Sequence, residues 1–141
     1  MTPVDASPTD LQLAAAIVTD ASGQFLTVRK RHTHFLLQPG GKIQPGERPE
    51  AAMRRELKEE LDVSVDSAVF IARISAPAAN EPGLMVTADV FTATIGAQLP
   101  RACAEIAELV WIDPAGPRTS PPLPYPLAEL THRILSLNQA G

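Results

Sequence analysis

Apolar and polar positions along the chain fall into blocks, and each block predicts an element. Leu11 to Thr19 is short and nearly all apolar, Asp20-Ala-Ser-Gly23 supplies turn chemistry, and Gln24 to Arg29 alternates polar with apolar. That pattern predicts two strands joined by a hairpin. Phe35-Leu-Leu37 reads as a third short strand that ends at the Gln38-Pro-Gly-Gly41 corner, where proline and paired glycines break regular structure. Pro49 to Leu61 predicts a helix, because every residue after the opening proline is a good or tolerable helix former and proline suits the first turn. Val69 to Ile74, Leu84 to Ile95 and Glu108 to Ile112 carry the β-branched and aromatic enrichment of strands. Pro114 to Pro126 is broken by repeated prolines and reads as a stiff surface connection. Leu127 to Leu137 predicts a second amphipathic helix, with Leu127, Leu130, Ile134 and Leu137 on one stripe. The order of elements is mixed α and β, with no internal repeat.

Composition narrows the class. The chain has 141 residues, 45% hydrophobic and 20% charged, a balance that builds one domain with a real core. We expect a flexible tail over residues 1–10 and a single domain over 11–141. The formal net charge is −4, which argues against a generic grip on a nucleic-acid duplex or an acidic membrane surface, since both need clustered cations. A small phosphorylated ligand needs only a local basic pocket. Cys103 is the single cysteine, so no intrachain disulfide can form, and a reducing cytoplasm is the expected setting. The opening residues are acidic and proline-broken where an export signal would be basic and then apolar. No apolar run approaches the ~18 residues of a spanning helix.

The chemistry concentrates on the first predicted helix. Projected at 100° per residue, Glu56, Glu59 and Glu60 fall within an arc of about 100°, and Met53, Leu57 and Leu61 form the adjoining apolar stripe. Glu56 and Glu60 stand four apart, a like-charge spacing that weakens a helix by a few tenths of a kcal/mol. Their oxygens suit Mg²⁺ or Mn²⁺, which bind through a few carboxylates together with substrate phosphates. The plainer alternative is a solvated acidic face, with Glu50–Arg54 and Arg55–Glu59 as exposed pairs. Upstream, Gly40-Gly41-Lys42 and Pro45-Gly46-Glu47 feed a glycine-rich loop into the same helix, and such a loop can bring backbone N–H groups close to an anion.

Taken together, Gly41, Glu47 and the run Arg55-Glu56-Leu57-Lys58-Glu59-Glu60-Leu61-Asp62-Val63 closely resemble the signature of the Nudix hydrolase family: glycine, five residues, glutamate, seven residues, then Arg-Glu-aliphatic-any-Glu-Glu-any-glycine-aliphatic. One specified position departs, Asp62 in place of glycine. At a helix exit that position often takes a left-handed conformation, which Asp adopts more readily than most residues.

The resemblance implies an α/β fold, an α-β-α sandwich with a mixed β-sheet between helices. It implies that Glu56, Glu59 and Glu60, with Gly41, hold the divalent metal, Mg²⁺ or Mn²⁺, and that Arg55 pairs with Glu47 to brace loop against helix. The implied reaction is attack of a metal-activated water on a phosphoanhydride. Glu56, Glu59 and Arg55 are then the catalytic group. The general base is either a helix glutamate or a later-loop carboxylate, Glu105 or Glu108. The substrate it implies is a small nucleotide: a nucleoside triphosphate, including oxidised purines, cleaved to monophosphate and pyrophosphate. The alternatives are ADP-ribose or another nucleotide sugar, toward which Pro77 is indecisive, or a non-catalytic nucleotide-sensing module. A homodimer is compatible with all of these.

Other residues carry weaker claims. Arg29, Lys30, Arg31 and Lys42 bracket Gly40 and Gly41 and could meet a polyphosphate tail. Phe35 and Trp111 could stack a base, whereas Phe70 and Tyr125 read better as packing residues. Asn80, beside Glu81, could read a base edge, although Asn-Glu-Pro-Gly is also ordinary turn chemistry. His32 and His34 lack a third ligand at metal-site spacing. Cys103 lacks a partner base.

Overall fold

The computed structural model describes residues 10–34, 36–77 and 83–113. Two sheets and one helix make up this part. A mixed four-stranded sheet runs in the order β3-β1-β5-β4, from β1 (Asp10–Val18), β3 (Gly40–Lys42), β4 (Ser67–Pro77) and β5 (Met85–Thr94). A two-stranded antiparallel sheet joins β2 (Phe25–Lys30) to β6 (Ile106–Ile112), with Phe25 opposite Ile112 and Val28 opposite Leu109. The helix α1 spans Pro49–Leu61.

The central strand explains the sheet. β1 lies parallel to β5, with Ala14 opposite Asp89 and Val18 opposite Ala93. Ala14, Ala15, Ala16, Ile17 and Val18 are all buried, as expected for a strand covered on both faces. Alternation then divides the core. Ala14, Ala16 and Val18 face a cluster with Leu26, Val28, Phe91 and the α1 residues Ala52, Met53, Leu57 and Leu61. Ile17 faces the other way, with Phe25, Ala88 and Val90. The buried stripe of α1 thus holds the helix over β1 and β3, and the acidic stripe beside it is carried to the sheet edge.

Two expectations need correction. The turn at Asp20 forms, its carboxylate accepting from the Ser22 and Gln24 amides at 2.9 Å each, but the flanking strands do not pair as an extended hairpin. Only Thr19 and Phe25 bridge, and β2 leaves for the second sheet. The third strand is Gly40–Lys42, inside the expected break, and not Phe35–Leu37, where Leu37 makes one isolated bridge to Val28. Ala14 and Ala15 lie opposite Gly41 and Gly40, so small residues on both strands permit a close pairing that propensity alone disfavours. Phe35, Asn80, Glu81 and Tyr125 lie outside the described residues, as do the expected connection 114–126 and the expected helix Leu127–Leu137. No helix among the described residues is long and apolar enough to cross a membrane.

Candidate functional site

α1 begins after Arg48, whose backbone is extended and whose side chain makes no cap, with Pro49 in the first turn. It ends at Asp62, which adopts φ 57° and ψ 44°, a left-handed exit whose N–H donates to the Lys58 carbonyl at 3.1 Å. The Asp62 carboxylate accepts from Lys58 Nζ at 3.1 Å and Arg101 Nη1 at 3.4 Å, and Lys58 holds its pKa below the usual carboxylate range.

Along this helix the glutamates occupy three different environments. Glu59 is exposed. Glu56 is half-buried, and its carboxylate fills the space where a side chain on Gly41 would stand, 2.4 Å from Cδ to an ideal Cβ. Glu60 is 3% exposed. Its Oε1 accepts from the Gly40 N–H at 3.2 Å, and Oε2 has no hydrogen-bond partner among the described residues. Burial pushes this carboxyl up to about 7; the Gly40 bond and Lys30 oppose the rise, and the charges of Glu56 and Glu105 add to it.

Arg55 ties the loop to the helix. Its Nε and Nη2 donate to the two Glu47 oxygens at 2.8 and 2.9 Å, and Nη2 also donates to the Lys42 carbonyl at 3.0 Å. Its Nη1 donates to Glu56 at 2.9 Å and stands 3.5 Å from Glu59. This two-pronged contact holds the Glu47 carboxyl down to about 2 and raises the Arg55 guanidinium further above its ordinary value.

The later loop reaches the same place from the other sheet. Glu105 lies in the turn before β6, with Oε2 3.3 Å from Lys30 Nζ and its carbonyl accepting from the Arg31 N–H at 2.9 Å. Glu108 is inside β6, not before it, and is taken up by Arg29 Nε at 2.6 Å. Arg29 also donates from Nη1 to the Thr33 carbonyl at 3.0 Å. Arg31 and Lys42 are exposed. Trp111 packs against the core beneath α1. Phe70 is half exposed and meets Phe91 edge-on at 5.7 Å. His32 is exposed in a turn at φ 68°, and Cys103 gives its backbone N–H to the Glu60 carbonyl at 2.9 Å.

A hard divalent cation fits this donor set by chemistry. All the offered atoms are oxygens, one buried carboxylate oxygen is unpartnered, and the neighbouring carboxylates repel one another. Among the described residues no three side-chain ligands converge on one point; the positive charge between Glu56 and Glu59 is the Arg55 guanidinium. Glu56, Glu59 and Glu60 with the Gly41 backbone would hold the ion. A separate concavity of about 570 Å³, lined by Arg48, Arg54, Phe70, Arg73 and Asp89 among others, shares no residue with this set.

Sequence reasoning passed over Gln98 and Arg101, whose bonds reach back to residues 61–64. Neither belongs to a recognisable motif, and the pairing spans more than thirty residues, so no local signal marks it.

Residues 11–133 match the NUDIX domain family model. A stretch of 57 residues is 44% identical to the 8-oxo-dGTP diphosphatase of Haemophilus influenzae, covering 38% of this chain and 42% of that protein. A stretch of 58 residues is 41% identical to the Escherichia coli protein of the same name, covering 38% of this chain and 45% of the relative. The matched stretch therefore spans less than half of either relative. Among solved structures, the MutT protein of Methanosarcina mazei superposes with a TM-score of 0.77 at 17% identity, covering 97% of this chain and 100% of that one. The MutT NUDIX hydrolase of Burkholderia pseudomallei gives 0.75 at 21%, covering 88% and 96%. At such identities these two show a shared fold.

Proposed function

The chain belongs to the NUDIX domain family, and from that premise we propose that it hydrolyses a phosphoanhydride bond of a nucleoside triphosphate, an oxidised purine nucleotide in particular, to monophosphate and pyrophosphate. The observation that carries this is the acidic face of α1, where Glu56, Glu59 and the buried Glu60 stand behind the Gly40–Gly41 backbone with Arg55 clamped to Glu47. The names of the two partial relatives favour the oxidised purine. We assign residues 11–141 to one domain and the protein to the cytoplasm.

Bound Mg²⁺ or Mn²⁺ would supply Lewis-acid charge for the phosphoryl oxygens and a more acidic water. The chain's own residues do the rest. Arg55 and Glu47 fix the loop so that the Gly41 backbone and Glu56 keep one spacing. Glu59, the exposed carboxylate of the set, can take a proton from solvent-side water, and Glu105, held by Lys30, is the second candidate base. Lys30, Arg31 and Lys42 offer cationic charge at the mouth for a polyphosphate tail, and Arg29, which pairs through Nε with Glu108 across β2 and β6, has further guanidinium N–H groups to add to it.

The test is phosphate and pyrophosphate release in Mg²⁺ across oxidised and ordinary purine triphosphates, ADP-ribose and dinucleoside polyphosphates. Pyrophosphate from a triphosphate, lost about a hundredfold in Glu59→Gln, is the expected result. Cleavage of ADP-ribose alone would move the assignment to the nucleotide-sugar branch. Nucleotide binding without turnover would make the chain a sensor.

A further inference from the structure

The carboxyl end of α1 leaves carbonyls without intrahelical partners, as every helix does. Here the connection between β5 and β6 supplies their donors. Arg101 N–H donates to the Leu61 carbonyl and Cys103 N–H to the Glu60 carbonyl, each at 2.9 Å. The connection is itself anchored at its start by one side chain. Gln98 Oε1 accepts from the Ser64 N–H at 2.8 Å, while its Nε2 donates to the Ser64 carbonyl at 2.6 Å and the Ile95 carbonyl at 2.7 Å. The amide thus copies a strand partner for Ser64, matching both its donor and its acceptor. At the far end the same connection delivers Glu105 to Lys30, with the Glu105 carbonyl on the Arg31 N–H.

We propose that Gln98 is a positioning residue for the metal and nucleotide site: it sets the register in which the 96–105 connection docks on the end of α1, and so fixes Glu105 relative to Glu59 and Glu60. The proposal rests on the hydrolase reading above for its catalytic consequence. Its structural basis is independent of it. Two carboxylate groups from distant parts of the chain serve one site only if their backbones share a frame. The ladder from Ser64–Gln98 through Leu61–Arg101 to Glu60–Cys103 is that frame. Without the side chain, the Ser64 groups turn to solvent, the first rung is lost, and the next two are left to hold a longer free segment.

The variants are Gln98→Met, which keeps the volume and removes all three bonds, and Gln98→Glu, which keeps the acceptor and removes both donations. Leu99→Ala, at a neighbouring exposed side chain, is the control. Three quantities are read: amide hydrogen exchange at Arg101 and Cys103 in metal-free protein, Mn²⁺ affinity without nucleotide, and kcat against KM. Both Gln98 variants should speed exchange at the two amides about tenfold. They should weaken Mn²⁺ and lower kcat several-fold while KM stays within about twofold, with Leu99→Ala unchanged. Unaltered exchange, or faster exchange with Mn²⁺ affinity and kcat intact, would overturn the proposal. If the unmodified protein binds Mn²⁺ yet cleaves no nucleotide, the hydrolase reading fails, and exchange with Mn²⁺ affinity still decides the role of Gln98. If it binds no Mn²⁺, the site that Gln98 is held to position is absent, and the proposal falls whatever the exchange shows.

Discussion

Gly41 and the Glu56 carboxylate share one volume: an ideal Cβ on Gly41 would stand 2.4 Å from Glu56 Cδ and 2.6 Å from its nearer oxygen. The neighbouring glycine is closed in differently. At Gly40, with φ 148°, a Cβ would meet the Ala14 backbone oxygen at 2.1 Å. A flexible carboxylate can move aside, whereas a paired strand cannot. Gly41→Ala should therefore fold with nearly normal stability but push Glu56 off its position and weaken divalent-metal activation by about 10–100-fold. Gly40→Ala should lose on the order of 3 kcal/mol of stability. Thermal unfolding beside Mg²⁺ titration of the two variants checks this. Equal stability in both, or normal Mg²⁺ dependence in Gly41→Ala, would contradict it.

Glu60 gives a pH dependence. Burial raises its folded pKa to about 7 from an ordinary value of 4.5, so the fold prefers the protonated form. The sign follows: the Glu60 contribution to metal-free stability is fully present below about pH 4.5, declines as pH rises, and is lost above about pH 7. The span corresponds to on the order of 3 kcal/mol. Glu47, held low by Arg55, acts in the opposite direction and only at more acid pH. Urea unfolding in EDTA across this range should show Glu60→Gln gaining on the parent as pH rises, and added Mg²⁺ should close the gap. Parallel profiles would remove Glu60 from the account.

What the sequence revealed and what it hid divide along local and non-local lines. The helix Pro49–Leu61 was readable to the residue because its limits are set locally, by Pro49 at the start and a residue tolerant of left-handed backbone at Asp62. Adjacency of Glu56, Glu59 and Glu60 followed from helical spacing. The strand Gly40–Lys42 was hidden, because glycine has no strand preference and pairs here only through the small residues of β1. The parting of β1 and β2 was also hidden, since the turn between them suits a hairpin and β6, more than seventy-five residues on, decides the matter. Arg29 shows the same limit. Its charge was legible, but its capture by Glu108 depends on that pairing.

Arg55 and Glu47 meet through two parallel bonds, and Arg55 also reaches Glu56 and the Lys42 carbonyl. Removing either partner releases the loop, so little is left for the second substitution to remove. Glu47→Gln and Arg55→Lys should each weaken Mg²⁺ activation by about 10–100-fold, and the double variant should be no more than about twofold worse than Arg55→Lys. Lysine is not a substitute here because it cannot present the planar fork. A double-mutant cycle on the Mg²⁺ activation constant measures the coupling, and additive losses would argue that the two act separately.

Asp62 is the one departure from the family signature, and its φ of 57° fits the conformation glycine would adopt there. The Asp62 carboxylate adds contacts glycine lacks, to Lys58 and Arg101, but all three side chains are exposed, and such pairs stabilise weakly. Asp62→Gly should therefore leave stability close to the parent, relief of backbone strain being offset by lost ion pairs and by glycine's freedom in the unfolded chain. Asp62→Val cannot take positive φ without strain and should lower Tm by about 5 °C. Its cost should spread to the site. A shifted exit moves the Glu60 and Leu61 carbonyls away from the Cys103 and Arg101 amides, so exchange at those amides and the Mg²⁺ activation constant should rise together. Thermal unfolding, amide exchange and Mg²⁺ titration of the three proteins decide it. A valine variant matching the parent in all three would mean that the helix exit tolerates a different backbone and that Asp62 stands there for another reason.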